Sequence, residues 1–140
     1  MTVNSVWAVQ AGVYACLSAN SELVGLLGNG ASGVLDHVPP GTVAPYVVMG
    51  EIAARPVDAC DAAGMDIGLT VHVYSRGSGM KELRAVMAAV YAALHDAGLV
   101  VSGHDVALCQ CTGLETRMEG DGVTRHGTLR FRIVVSLQGG

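Results

Sequence analysis

The chain has 140 residues, of which 51% are hydrophobic and only 14% charged. That balance excludes intrinsic disorder and fits one domain, residues 1–140, with a single core. Eight basic residues against twelve acidic ones leave a net charge of −4, the wrong sign for a protein held to nucleic acid by counterion release.

Lys81 is the only lysine, and Gly fills 19 positions, about twice the usual share. A surface so poor in lysine and so rich in small residues suits a subunit that covers much of its outside with other chains. No run of 18 apolar residues occurs, so no membrane span is expected. The apolar N-terminus lacks a Lys or Arg before it, and Asn4 and Gln10 interrupt it. A signal peptide is therefore not expected, and the four cysteines are read as cytosolic thiols.

Asn4 or Ser5 can cap a first helix from Val6 to Ser18, with Val6, Val13 and Leu17 at helical spacing and Gln10 on the same rough face. Asn20 or Ser21 caps a short second turn, Glu22 to Leu27, which Gly28-Asn29-Gly30 ends. Val34 to Val38 is a short extended piece stopped by Pro39-Pro40-Gly41. Tyr46 to Ile52 reads as a strand opened by Pro45. Ala54 to Gly64 has no period and carries Pro, Asp and Gly, so a long loop is expected there.

From Met65 the alternation is clean. Met65, Ile67, Leu69, Val71 and Val73 face one way, and Asp66, Gly68, Thr70, His72 and Tyr74 the other, as in a half-buried strand. A turn at Ser75 to Gly79 leads to the main helix, Met80 to Ala97, whose stripe is Leu83, Val86, Met87, Val90, Tyr91 and Leu94. Its far side is Ala85, Ala88, Ala89, Ala92 and Ala93, a smooth back that a neighbour can approach. Val106 to Met118 and Val123 to Leu137 complete a hairpin through Gly120-Asp121-Gly122. The expected class is α+β: four strands in an antiparallel sheet, or a mixed one, with the long helix and the N-terminal helix packed on one face.

Few residues offer chemistry. Cys109 and Cys111, with His104 near them, share a strand face, but Cys16 and Cys60 supply no second ligand pair, so no metal and no cofactor are expected. His72 lacks a nucleophile motif around it and reads as a hydrogen-bonded surface or interface histidine. Gly77-Ser78-Gly79 lacks the Gly-Lys-Ser/Thr of a phosphate loop. Arg117, Arg125, Arg130 and Arg132 crowd the last hairpin, with Asp66, Glu115 and Glu119 as natural partners for cross-strand or cross-subunit ion pairs. No catalytic residue is assigned.

The order of segments does carry a resemblance. Leu35-Asp36-His37-Val38-Pro39, Ala44-Pro45-Tyr46-Val47-Val48-Met49-Gly50-Glu51, Leu69-Thr70-Val71-His72-Val73-Tyr74-Ser75-Arg76 with Gly79, the Ala-rich helix, and Asp121-Gly122-Val123-Thr124-Arg125-His126-Gly127 follow one another across nearly the whole chain. In this order they resemble the phage tail-completion or tail-terminator family of long-tailed phages, found also in gene transfer agents.

The resemblance implies a structural protein and not an enzyme. It implies a homohexameric ring that caps the tail tube, meets the head-tail connector or stopper protein, and lets DNA pass without sequence-specific binding. Assembly would occur in the bacterial cytoplasm, and the ring would end at the head-tail junction of the particle. A head-completion or neck protein of the same particle is the neighbouring alternative, and a small-ligand or metal-binding domain the remote one. Arg55, Pro56, Val57, Asp58 and Asp61 of the expected loop, with Arg117, Arg130 and Arg132, are the candidate interface residues. The loop is expected to become ordered against a neighbouring ring, most naturally the tail tube.

Overall fold

A computed structural model describes residues 4–59, 62–77 and 79–138. Helix α1 (Asn4–Ser18) and the short α2 (Ser21–Leu26) lead through a 3₁₀ turn (Gly30–Gly33) into β1 (Val34–Leu35). Then come β2 (Tyr46–Ala59), β3 (Ala62–Ser75), α3 (Met80–Leu94), β4 (His104–Met118) and β5 (Arg125–Leu137). The sheet is five-stranded in the order β1-β2-β3-β5-β4. The β2–β3, β3–β5 and β4–β5 pairs are antiparallel, while β1 pairs parallel with β2. The four expected strands are thus joined by a fifth of two residues, and the sheet is mixed.

The alternation of β3 and β5 sets the layers. Ile67, Leu69, Val71 and Val73 of β3 and Leu129, Phe131, Ile133 and Val135 of β5 are buried against the helices. Each large side chain so removed from water contributes about 1.5–3 kcal/mol. Gly127 lets Met87 of α3 lie directly on β5, since a Cβ there would collide with the Met87 side chain. On α3 the buried stripe is Leu83, Val86, Met87, Ala89, Val90, Ala93 and Leu94. It differs from the expected stripe at three positions. Ala89 and Ala93 turn inward on the flank of the stripe, where α1 comes up against α3 and the Cys16 thiol donates to the Ala93 carbonyl at 3.4 Å. Tyr91 turns out and stacks on His95, ring centroids 4.6 Å apart. The helix also ends earlier, at Leu94 instead of Ala97.

On α1 the inward face is Ser5, Val9, Val13 and Leu17, not the face through Val6 and Gln10. The buried Ser5 explains the difference: its Oγ lies 2.8 Å from Nε2 of His104, and Nδ1 of His104 donates to the Ser102 carbonyl at 2.8 Å. Nε2 is then the acceptor, so a polar position can sit in the core. Asn20 caps α2, its side chain accepting from the Leu23 amide at 2.9 Å.

The expected loop from Ala54 to Gly64 is overturned. Arg55↔Asp66, Pro56↔Met65, Val57↔Gly64 and Asp58↔Ala63 are paired rungs of the β2–β3 hairpin, and Cys60 and Asp61 lie outside the described residues. The arms show no hydrophobic period because the β2 arm is half-exposed to exposed from Ile52 to Val57, so burial does not select its residues. Pro56 is tolerated because β1 covers β2 only at Val47 and Val48, leaving the rest of that strand at the sheet edge. The last strand begins at Arg125, with exposed Val123 still in the turn.

Candidate functional site

The side of the sheet away from the helices carries most of the polar side chains that sequence reasoning singled out. Asp66 of β3 sits between two arginines. Arg132 of β5 donates from Nε to Oδ1 at 3.0 Å and from a terminal nitrogen to Oδ2 at 2.9 Å, and Arg55 of β2 reaches Oδ2 at 2.9 Å. Asp66 is only 8% exposed. The Arg132 hydrogen bonds, against the opposing effect of burial and with help from Arg55, hold its carboxyl below the usual carboxylate range. Arg130 bonds Glu115 at 2.7 Å, and Arg117 lies 3.8 Å from Glu119. Arg132, Arg130 and Arg117 of the last hairpin therefore find Asp66, Glu115 and Glu119 within the same chain, whereas Arg125 donates to the Gly77 carbonyl at 3.4 Å.

Of the candidate interface residues, Arg55 and Arg132 are brought together through Asp66. Arg130 and Arg117 stand further along the same face, on β5 and β4. Exposed Pro56 and half-buried Val57 continue the β2 arm. The Asp58 side chain and Asp61 lie outside the described residues.

The sequence did not reveal how its histidines meet. His72 Nδ1 lies 2.7 Å from His126 Nε2, across β3 and β5. His72 Nε2 lies 2.7 Å from Glu51 Oε1, and His126 Nδ1 lies 3.0 Å from Glu119 Oε1 but out of line for a hydrogen bond. With His72 donating from Nε2 to Glu51, its Nδ1 accepts from His126 Nε2–H. Burial first, then the neighbouring His72 and Arg117, lowers the His126 pKa, against the pull of Glu119.

Rings cover this cluster on one side. Tyr74 stacks on His126 at 4.5 Å and on Tyr46 at 5.3 Å. A β-bulge between Met49 and Ile52 holds Glu51. Gly50 in that bulge leaves room for the imidazole, since a Cβ there would lie 2.6 Å from His72 Cδ2. Glu51, Thr70, His72, Glu115, Arg117, His126, Thr128 and Arg130 line a cavity of about 220 Å³.

Among the described residues no group of three His, Cys, Asp or Glu side chains is placed to hold a metal ion. Cys109 and Cys111 lie opposite Ile133 and Phe131, on the helix side of the sheet. Burial pushes the Cys109 thiol up to about 11, away from the thiolate a metal or an electrophile needs. His104 is committed to Ser5 and Ser102. The polar face can pair charges, hold a proton between two imidazoles and present a patterned surface to another chain.

The chain matches the family described as tail completion protein gp17 over residues 11–136. It is 26% identical over 92 residues to the tail completion protein gp17 of Bacillus phage SPP1, covering 66% of this chain and 68% of that protein. It also superposes on a chain from the virion of a native gene transfer agent particle with a TM-score of 0.84 at 29% identity. That match covers 96% of this chain and 99% of the other. These relatives are structural parts of particles, and the chain belongs to the tail completion protein gp17 family.

Proposed function

We propose that this protein is the ring-forming terminator of a phage-like tail. Copies close into a homohexamer on the head-proximal end of the tail tube, stop its growth and offer the opposite surface to the head-tail connector. DNA passes through the opening. The ring forms in the bacterial cytoplasm and ends at the head-tail junction. The observation that carries this reading is the near end-to-end likeness to a chain of an assembled gene transfer agent particle.

The charge pattern supports it. Asp66 pairs both Arg132 and Arg55, leaving that triad a single net positive charge, Glu115 pairs Arg130, and the net charge of the chain is −4. A ring of such subunits lets DNA slide because it has few unpaired cations for phosphates to hold. Arg55, Pro56, Val57 and Asp58 lie along the far end of the β2–β3 hairpin and, with Asp61, are assigned to contact with the tube. Arg117, Arg130 and Arg132 share the open sheet face and suit contact with another subunit or with the connector.

Electron microscopy of particles assembled without this protein tests the reading. Tails of uncontrolled length, detached from filled heads, are expected. Tails of normal length attached to heads would overturn it.

A further inference from the structure

Two exposed apolar surfaces lie at opposite edges of the helical layer. On α1, which packs over the β1 and β2 side of the sheet, Trp7 is 63% exposed and Tyr14 45%. They stand seven residues apart and share one helix face with Gln10 and Ala11. The whole of α1 contains no charged residue, which is unlike a helix face that meets only water. At the other edge, α3 and β4 form an apolar groove of about 540 Å³ floored by Met87, Ala88, Tyr91 and Leu114. Leu114 is 57% exposed and Tyr91 39%. Ala88 is the small residue that leaves the groove open.

The two surfaces also match in charge. Arg84 lines the groove together with Glu115, whose charge is taken up by Arg130, and Asp36 lines the hollow beside Trp7 and Tyr14. Both are exposed. Among the described residues Arg84 and Asp36 form no ion pair within the chain, whereas Arg55, Arg76, Arg117, Arg130 and Arg132 do.

We infer that the occupant of the α3–β4 groove is a second copy of this chain, which inserts Trp7 and Tyr14 of α1 and pairs its Asp36 with Arg84. The contact is heterologous, because the surfaces differ and lie on opposite edges. Each copy thus keeps one free groove and one free aromatic face, and the contact repeats until a ring closes. A buried Trp in an apolar pocket, with a charge pair at the rim, is the usual composition of an interface hot spot. The inference rests on the ring reading and names the surfaces that make the ring.

A photo-crosslinking amino acid in place of Trp7, read by peptide mass spectrometry, tests the contact directly, and native mass spectrometry of the unaltered protein reads assembly separately. Intermolecular cross-links to residues 80–94 or 108–118 are expected. Trp7→Ala and Ala88→Arg, both at exposed positions, should weaken assembly at least ten-fold while circular dichroism stays unchanged. Asp36→Arg and Arg84→Asp should each weaken it, and the double exchange should restore it. Assembly of the unaltered protein with cross-links only to other segments would overturn the interface and leave the ring reading standing. A protein that stays monomeric and gives no intermolecular cross-link would overturn both.

Discussion

His72 and His126 lie 54 residues apart in the chain, yet Nδ1 of one is 2.7 Å from Nε2 of the other. The pair can share one proton at this contact but cannot hold two there without repulsion. Glu51 faces His72, while Glu119 and Arg117 face His126, with Glu115 and Arg130 across the same hollow and Tyr74 stacked on His126. The folded state therefore favours a neutral His126.

Stability should depend on this pair. The His126 pKa is lowered from its ordinary 6.5, so just below that value the unfolded chain binds a proton that the folded chain refuses. The contribution is complete above the ordinary value and is lost as pH falls through the folded one. Thermal unfolding should show Tm falling from about pH 7 to about pH 5, and His126→Gln should flatten that slope. Identical slopes in the two proteins would refute a neutral, desolvated His126.

Gly50 gives the cluster its room. In Gly50→Ala the new methyl meets the His72 ring and the Thr70 carbonyl. Overpacking of this kind costs about 1–3 kcal/mol. Chemical denaturation should register that loss, and imidazole NMR signals of both His72 and His126 should move together. Unchanged imidazole signals would mean that the bulge adapts without disturbing the pair.

Leu94 anchors α3 and is fully buried. Leu94→Ala should cost about 2–5 kcal/mol. Tyr91→Ala, at the exposed rim, should cost less. Equal losses in urea titrations would place Tyr91 in the core after all.

Asp66 keeps two arginines paired. Asp66→Asn removes the negative charge between Arg55 and Arg132. On immobilised DNA the variant should then elute at higher salt than the parent. Elution at the same salt would show that those arginines do not reach phosphate even when released.

Cys109 should be the slowest of the three described thiols to react. It is 5% exposed and its thiol is pushed up to about 11, so little thiolate exists at neutral pH. Timed alkylation with iodoacetamide and peptide mapping should label Cys111 before Cys109 in the native protein. In denaturant the difference should vanish. Early native labelling of Cys109 would mean that the β4 edge opens readily.

Local pattern by itself determined the half-buried strands around Met65 to Val73 and Leu129 to Leu137. A period of two is written into consecutive residues wherever one face is dry and the other wet. It also determined the long helix, and the acidic partners of the hairpin arginines could be named from composition on the paired strands. The segment order was enough to indicate the family.

Tertiary structure decided the rest. The arms from Ala54 to Gly64 read as a loop because neither burial nor period marks their outer strand, and only the β2–β3 register, Arg55 opposite Asp66, makes them strand. Ala89 and Ala93 read as the back of α3, but the neighbouring α1 covers that flank, as the Cys16 contact to the Ala93 carbonyl shows. The two-residue β1 carries too little sequence for any period. His72 and His126 each sit on a polar strand face that alternation does identify, but their meeting depends on which strands are neighbours and on the rung at which they pair. Strand pairing couples residues far apart in the chain, and no local pattern encodes that register.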